Sequence, residues 1–240
     1  TYIPFEEYTG CGVRSKLFEF ANAPAVLCLD CHVLLEAGSL KRLIEYYDEN
    51  PNTKDLLQGP LIWDRLDKRV STHFDSTWRE SMWGTWQTHE TLGKNPDDIP
   101  FEIPSMGLGL FSCRKDAWLG FNKHFRQFGG EEGYIHEKFR QHGRKTLCLP
   151  FLRWVHRFSR PEGPPYPLNI KSRIRNYIIG HMELNLELDE LIDHFISEEK
   201  IKEDELKEML LDTMNTTGYK PKFGDMSMAN IVNPFKKIKL

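Results

Sequence analysis

Asp30 and His32 stand one residue apart, directly after the apolar run Ala25-Val26-Leu27-Cys28-Leu29. Such a run reads as a buried strand, and side chains at its C-terminal end project into the crevice where open α/β sheets bind ligands. A carboxylate oxygen and a neutral imidazole together suit a divalent ion such as Mn2+, and diphosphate oxygens would complete its shell. The same tripeptide also fits a plain strand end with a surface Asp and a packed His. Cys28 and Cys31 form a CxxC that could hold zinc or do redox chemistry, but no second pair follows and Cys28 falls inside the strand.

Gly129-Gly130-Glu131-Glu132 opens a helical stretch. Glycines let a backbone approach a ligand closely, and acidic groups in a first helical turn sit well against the helix dipole. A carboxylate there either points to water or can take a proton from a hydroxyl. His156, in the later segment PFLRWVHRF, is either a further metal ligand or a packed histidine. His73, Trp78, Trp83 and Trp86 crowd a polar stretch over 64–104, where aromatic faces suit sugar rings or bases, or simply pack the stretch down. Arg153, Arg157, Arg160, Lys171, Arg173 and Arg175 would meet a polyanion such as DNA, unless they pair with the acidic 183–205 region.

These groups need a scaffold. Leu40, Leu43, Ile44 and Tyr47 share one face of an amphipathic helix over 38–50. Strands are predicted over 1–5, over 56–63 with a break at Gly59-Pro60, over 107–114 and over 145–149. Short helices are predicted over 115–121 and 131–142, the latter stopped by Gly143. After a Pro/Gly-rich stretch near 161–165 come helices over 168–181, 186–198 and 202–214. The pattern predicts an α/β domain over 1–160 and a helical extension over 161–240. A chain of 240 residues can bury one good core, and 40% hydrophobic with 28% charged residues is ordinary for a globular protein. A net charge of −3 argues against attachment to nucleic acid by global charge, though not against a local basic face. Five cysteines, an odd number, fit free thiols in a reducing cytoplasm. No membrane span or signal peptide is legible, and a start at Thr1 reads as a fragment or a processed chain.

Four segments then fall in a recognisable order: LCLDCH at 27–32, PSMGLGLFSCRK at 104–115, FGGEEGYIHEKFRQHG at 128–143 and PFLRWVHRF at 150–158. The succession resembles the GT-A nucleotide-sugar glycosyltransferases, most closely the branch of the polypeptide N-acetylgalactosaminyltransferases, where the segments look like FLDSH, PxMAGGLF, WGGEN and PxSRVGH. The resemblance covers residues 8–160 and implies a GT-A (Rossmann-like) mixed sheet flanked by helices, with a C-terminal helical region. The first βα units, which hold the nucleotide base in the family, have no counterpart before Asp30.

By that resemblance Asp30, His32 and His156 are ligands for Mn2+ or Mg2+. Arg14, Asp30, Gly107, Gly109 and Gly130 contact the donor, and Glu131 bonds sugar or acceptor hydroxyls. His73, Trp78, Trp83 and Trp86 fall where acceptor loops sit. Two positions depart from the pattern. Glu132 stands where the branch has Asn and where related inverting enzymes place a carboxylate base, which leaves retention or inversion open. Leu108 replaces a glycine, narrows the sugar-pocket floor and weakens any claim to an N-acetylated donor. The expectation is a cytoplasmic enzyme of bacterial or phage type that moves a hexose from a nucleotide diphosphate sugar, UDP foremost, to a hydroxyl of a glycan, a protein or a hydroxymethylated base in DNA. A non-catalytic fragment or binding module, and a metal-dependent hydrolase, stand as alternatives.

Overall fold

A computed structural model describes residues 2–5, 10–64, 69–158, 162–163 and 168–224. A 3₁₀ turn over Gly10–Gly12 leads into α1 (Val13–Phe20), followed by β1 (Ala25–Leu29), β2 (Val33–Leu35) and α2 (Ser39–Glu49). The 56–63 run is split into β3 (Leu56–Gln58) and β4 (Leu61–Trp63) by Gly59-Pro60, since proline cannot donate to a ladder. Next come β5 (Val70–Ser71), β6 (His73–Arg79), β7 (Met82–Gln87), β8 (Phe101–Glu102) and β9 (Leu110–Arg114). α3 (Glu131–Gln141), β10 (Thr146–Cys148) and β11 (Trp154–His156) precede the helices α4 (Ile170–Glu183), α5 (Asp189–Ser197) and α6 (Glu203–Thr217).

Two sheets share one parallel spine. The larger has the order β1-β9-β3-β10-β8 and the smaller β2-β11-β4-β5. β3 pairs parallel with β10 and β4 parallel with β11, while the remaining neighbours are antiparallel. Both faces of the larger sheet are covered, which explains its near-continuous apolar strands. Ile135 and Phe139 of α3 pack with Phe111 and Phe18 in one cluster, and Leu43 of α2 packs with Leu57, Leu110 and Trp154 in another. The C-terminal helices build a third cluster around Ile178, Leu191, Phe195 and Leu206. Yet Ile179 of α4 sits in the same cluster as Phe111, so this helix extends the α/β core.

Three local expectations are corrected. Residues 2–5 form no strand. The 115–121 helix shrinks to a 3₁₀ turn over Lys115–Ala117, because Trp118 turns extended and stacks on Phe18 with ring centroids 4.3 Å apart. The 64–104 stretch, legible only as a polar, aromatic-rich run, holds strands β5 to β8, including a β6–β7 hairpin. Its alternation is broken by a register shift between Asp75 and Trp78.

The β3–β4 junction is tightly held. Trp154 Nε1 donates to the Gly59 carbonyl at 2.7 Å, and Trp154 N donates to the Pro60 carbonyl at 3.1 Å. A Cβ on Gly59 would lie 1.8 Å from the Leu152 carbonyl oxygen. Gly59→Ala is therefore expected to destabilise the fold by about 3 kcal/mol and to lower the melting temperature by roughly 6–12 °C. A melting shift below about 2 °C in a thermal scan would show that this junction relaxes freely.

Candidate metal and donor site

Leu29 pairs with Leu110, and Asp30 N donates to the Gly109 carbonyl at 2.9 Å, so Asp30 emerges just past the end of the larger sheet. The chain turns there and enters β2, whose Val33 pairs with His156 of β11. Arg157 N also donates to the His32 carbonyl at 3.2 Å. Two histidines 124 positions apart thereby meet at one end of a single ladder, with their Nε2 atoms 2.9 Å apart. Asp30 Oδ2 lies 3.9 Å from His32 Nε2, and one ligand atom from each of Asp30, His32 and His156 lies within 4.8 Å of the others. Two ligands at right angles around an ion with bonds near 2.1 Å are about 3 Å apart, so the imidazole spacing fits a shared octahedral ion. One oxygen and two nitrogens form a donor set suited to Mn2+, and the three leave positions for phosphate oxygens. Gly109 permits this close approach: a Cβ there would meet Trp154 Cζ3 at 2.9 Å and His156 Cδ2 at 3.2 Å.

Arg14 links this group to the helix that carries the carboxylates. Its guanidinium donates to Asp30 Oδ1 at 3.2 Å and to Glu131 Oε1 at 3.5 Å, while Glu131 Oε2 accepts from Gly129 N at 2.9 Å. Gly129 and Gly130 have φ of 104° and 92°, a region that strains any side chain. Asn176, fully buried on α4, secures this turn: it accepts from Arg126 N at 3.0 Å and donates to the carbonyls of Arg126 (2.8 Å) and Gly129 (2.9 Å). The sequence reading missed Asn176. Its signal was a lone amide among Ile174, Ile178 and Ile179 in a helix.

Glu131 is 0% and Glu132 8% exposed. Burial pushes both carboxyls upward, but Arg14 and backbone N–H groups oppose this at Glu131. Glu132, desolvated and beside the Glu131 charge, is pushed up to about 8.

Two cavities of about 330 Å³ each meet at Arg14 and Asp30. One is walled by Cys11, Leu17, Leu29 and His32. The other is walled by Trp86, Gly107, Gly109, Glu132, His156 and Phe158. Trp86 stands over Gly107, where a Cβ would come within 2.9 Å of the indole. Leu108 lines this cavity beside Gly107 and Gly109 while also packing into the core cluster of Phe111 and Ile135. Trp78 and Trp83 line a separate cavity, together with Gly130, between the hairpin and α4. His73 lines none of these three cavities, and its ring bonds Thr72 Oγ1 at 2.9 Å and faces Asp75 at 3.3 Å. The basic residues meet different partners: Arg153 pairs with Glu36, Lys171 with Glu205 and Arg175 with Asp212, while Arg173 lies over the Phe128 ring. Arg160 lies outside the described residues. All five cysteines are free thiols, with Cys28 buried and Cys31 exposed. Among the described residues no helix is long and apolar enough to cross a membrane.

The fold matches the crystal structure of GalNAc-T7 with UDP, GalNAc and Mn2+, with a TM-score of 0.59 over 87% of this chain at 18% identity. The chain spans 42% of the length of that protein. The mixed α/β architecture is thus GT-A-like. No protein-family profile matches the chain, and no curated protein matches its sequence.

Two outcomes follow from this geometry. His156→Ala should weaken Mn2+ binding, read by calorimetry, beyond the roughly 10–100-fold typical of outer-shell partners; unchanged affinity would dissociate His156 from any ion. Glu132 has a folded-state pKa of about 8, above its ordinary 4.5, so it stabilises the fold fully below the lower value and this stabilisation is lost as pH rises through the higher. Glu132→Gln should therefore gain stability relative to the parent chain between about pH 5 and pH 9 in urea titrations. An equal difference at both ends would contradict a buried, titrating Glu132.

Proposed function

We propose that this chain transfers a hexose from a nucleotide diphosphate sugar, UDP-hexose foremost, to an acceptor hydroxyl, with a divalent ion held by Asp30, His32 and His156. The observation that carries the reading is the convergence of these three side chains where two cavities meet, one of which also presents the buried Glu132. When bound, Mn2+ or Mg2+ supplies the Lewis-acid charge that lets a diphosphate leave.

The rest of the chemistry lies with the chain's own residues. Leu17 and Leu29 offer apolar surface to the nucleoside, and Arg14 adds a guanidinium beside the diphosphate. The cavity of Trp86 and Glu132 takes the hexose and the acceptor. Glu132, once ionised, accepts the acceptor hydroxyl's proton as that oxygen attacks the anomeric carbon. The carbon–oxygen bond to the diphosphate breaks, and its electron pair leaves on the phosphate oxygen. A base on the acceptor side gives inversion at the anomeric centre. Glu131, fully buried between Arg14 and the Gly129 amide and lining neither cavity, holds Arg14 and the glycine turn in place rather than touching hydroxyls. Trp86 packs over Gly107 in this cavity. The GT-A-like fold and the UDP and Mn2+ in the GalNAc-T7 crystal support the reading, and five free thiols support a reducing compartment.

UDP release from UDP-glucose, UDP-galactose and UDP-N-acetylgalactosamine, with and without Mn2+ and acceptors, tests it. Expected are Mn2+-dependent release from the hexose donors, its loss in Asp30→Ala, and a rate that rises with pH through about 8 in the parent chain but not in Glu132→Gln. Acceptor-independent release of free sugar would replace the transferase with a hydrolase. Binding of UDP and Mn2+ without turnover would leave a binding module.

A further inference from the structure

His136 lies one turn beyond Glu132 on α3 and is fully buried, yet the chemistry above does not use it. Its Nε2 donates to Gln58 Oε1 at 2.5 Å, and its Nδ1 side abuts the Glu132 carbonyl. Gln58 ends β3 and is 1% exposed. Its amide NH2 donates to the carbonyls of Gly107 at 2.9 Å and Leu110 at 3.2 Å. Both of those groups only accept, so the amide cannot be reversed: its oxygen must face His136, and Nε2 must carry the proton. Nδ1 lies 2.6 Å from the Glu132 carbonyl, which likewise only accepts, so holding both contacts takes a proton on each ring nitrogen, and burial, which pushes the imidazole down to about 3, opposes that charge.

The connection runs from the backbone of Glu132 through His136 and Gln58 to both ends of the 107–110 turn. Glu132 and Gly107 to Gly109 line the same cavity. Two apolar side chains would pack β3 against α3 without the cost of desolvating an amide and an imidazole, so packing alone does not account for the polar pair. What the pair adds is a fixed length. We propose that His136 and Gln58 are positioning residues that set the height of Glu132 above the 107–110 floor, and with it the reach from base to acceptor hydroxyl. This deepens the transferase reading and rests on it. A base must come within about 3 Å of the proton it takes, and a misplacement of about 1 Å can cost roughly 100-fold.

The test compares His136→Phe, Gln58→Met and His136→Gln in the full chain. The first two cut the connection from either end at similar volume; the third restores a donor near the position of Nε2. Expected is a fall in kcat of about 100-fold in His136→Phe and Gln58→Met with donor KM and Mn2+ affinity unchanged, and recovery to within about threefold in His136→Gln. Unchanged kcat in a folded variant, a parallel loss of kcat, Mn2+ affinity and melting temperature, or no recovery in His136→Gln would overturn the proposal. If one of the cutting variants does not fold, the other carries the same expectation; if neither folds, the pair is structural and the proposal fails. Amide hydrogen exchange over 106–111 provides a readout without turnover. It should quicken at least tenfold in the cutting variants and not in His136→Gln. A parent chain that turns over no donor defeats the transferase reading, whereas unaltered exchange defeats the positioning role.

Discussion

The pairing of Val33 with His156 between β2 and β11 is the contact on which the candidate site depends. Asp30 and His32 are neighbours by covalent connection, but His156 reaches them only because this short ladder closes a loop of more than a hundred residues. β2 and β11 are three residues each, too short to persist alone. β11 is held by its parallel pairing with β4, and Trp154 anchors it through the Gly59 carbonyl. The site is thus positioned by the spine of the fold rather than by a mobile loop, as a centre that must hold fixed ligand spacing requires.

A second set of contacts ties the carboxylates to the same frame. Arg14 spans Asp30 and Glu131, so the candidate Asp30, His32 and His156 cluster and the first turn of α3 share one cation. Asn176 holds the Gly129-Gly130 turn from α4, and Tyr134, Lys138 and Asn122 converge on Glu183 at the end of that helix. These bonds pull the Glu183 carboxyl below its ordinary value against the effect of burial. The C-terminal helices therefore bear on the geometry of the site, through polar contacts that no hydrophobic period could announce.

Much of this was legible in the residues. Apolar runs at 25–29, 56–63 and 107–114 and the 3.6-residue period over 38–50 marked the main elements, because burial on one or both faces writes itself into composition, although the third strand begins only at Leu110, after the Gly107-Leu108-Gly109 turn. The glycine pair before Glu131-Glu132 marked a helix start, since only glycine takes two successive positive φ values cheaply. The hairpin over 73–87 was obscured by its register shift.

Residue order alone determined the chemistry on offer: a carboxylate and imidazole after a buried strand, acidic groups at a glycine-led helix start, and a late histidine beside a tryptophan. Tertiary structure decided which of these meet. It brought Asp30, His32 and His156 to one point, carried Trp86 to the cavity while leading Trp78 and Trp83 away, and enlisted Gln58, His136 and Asn176 as supports. Local sequence sets propensity within a few residues, whereas distances between residues remote in the chain follow from strand pairing and from the burial of polar groups that must find partners.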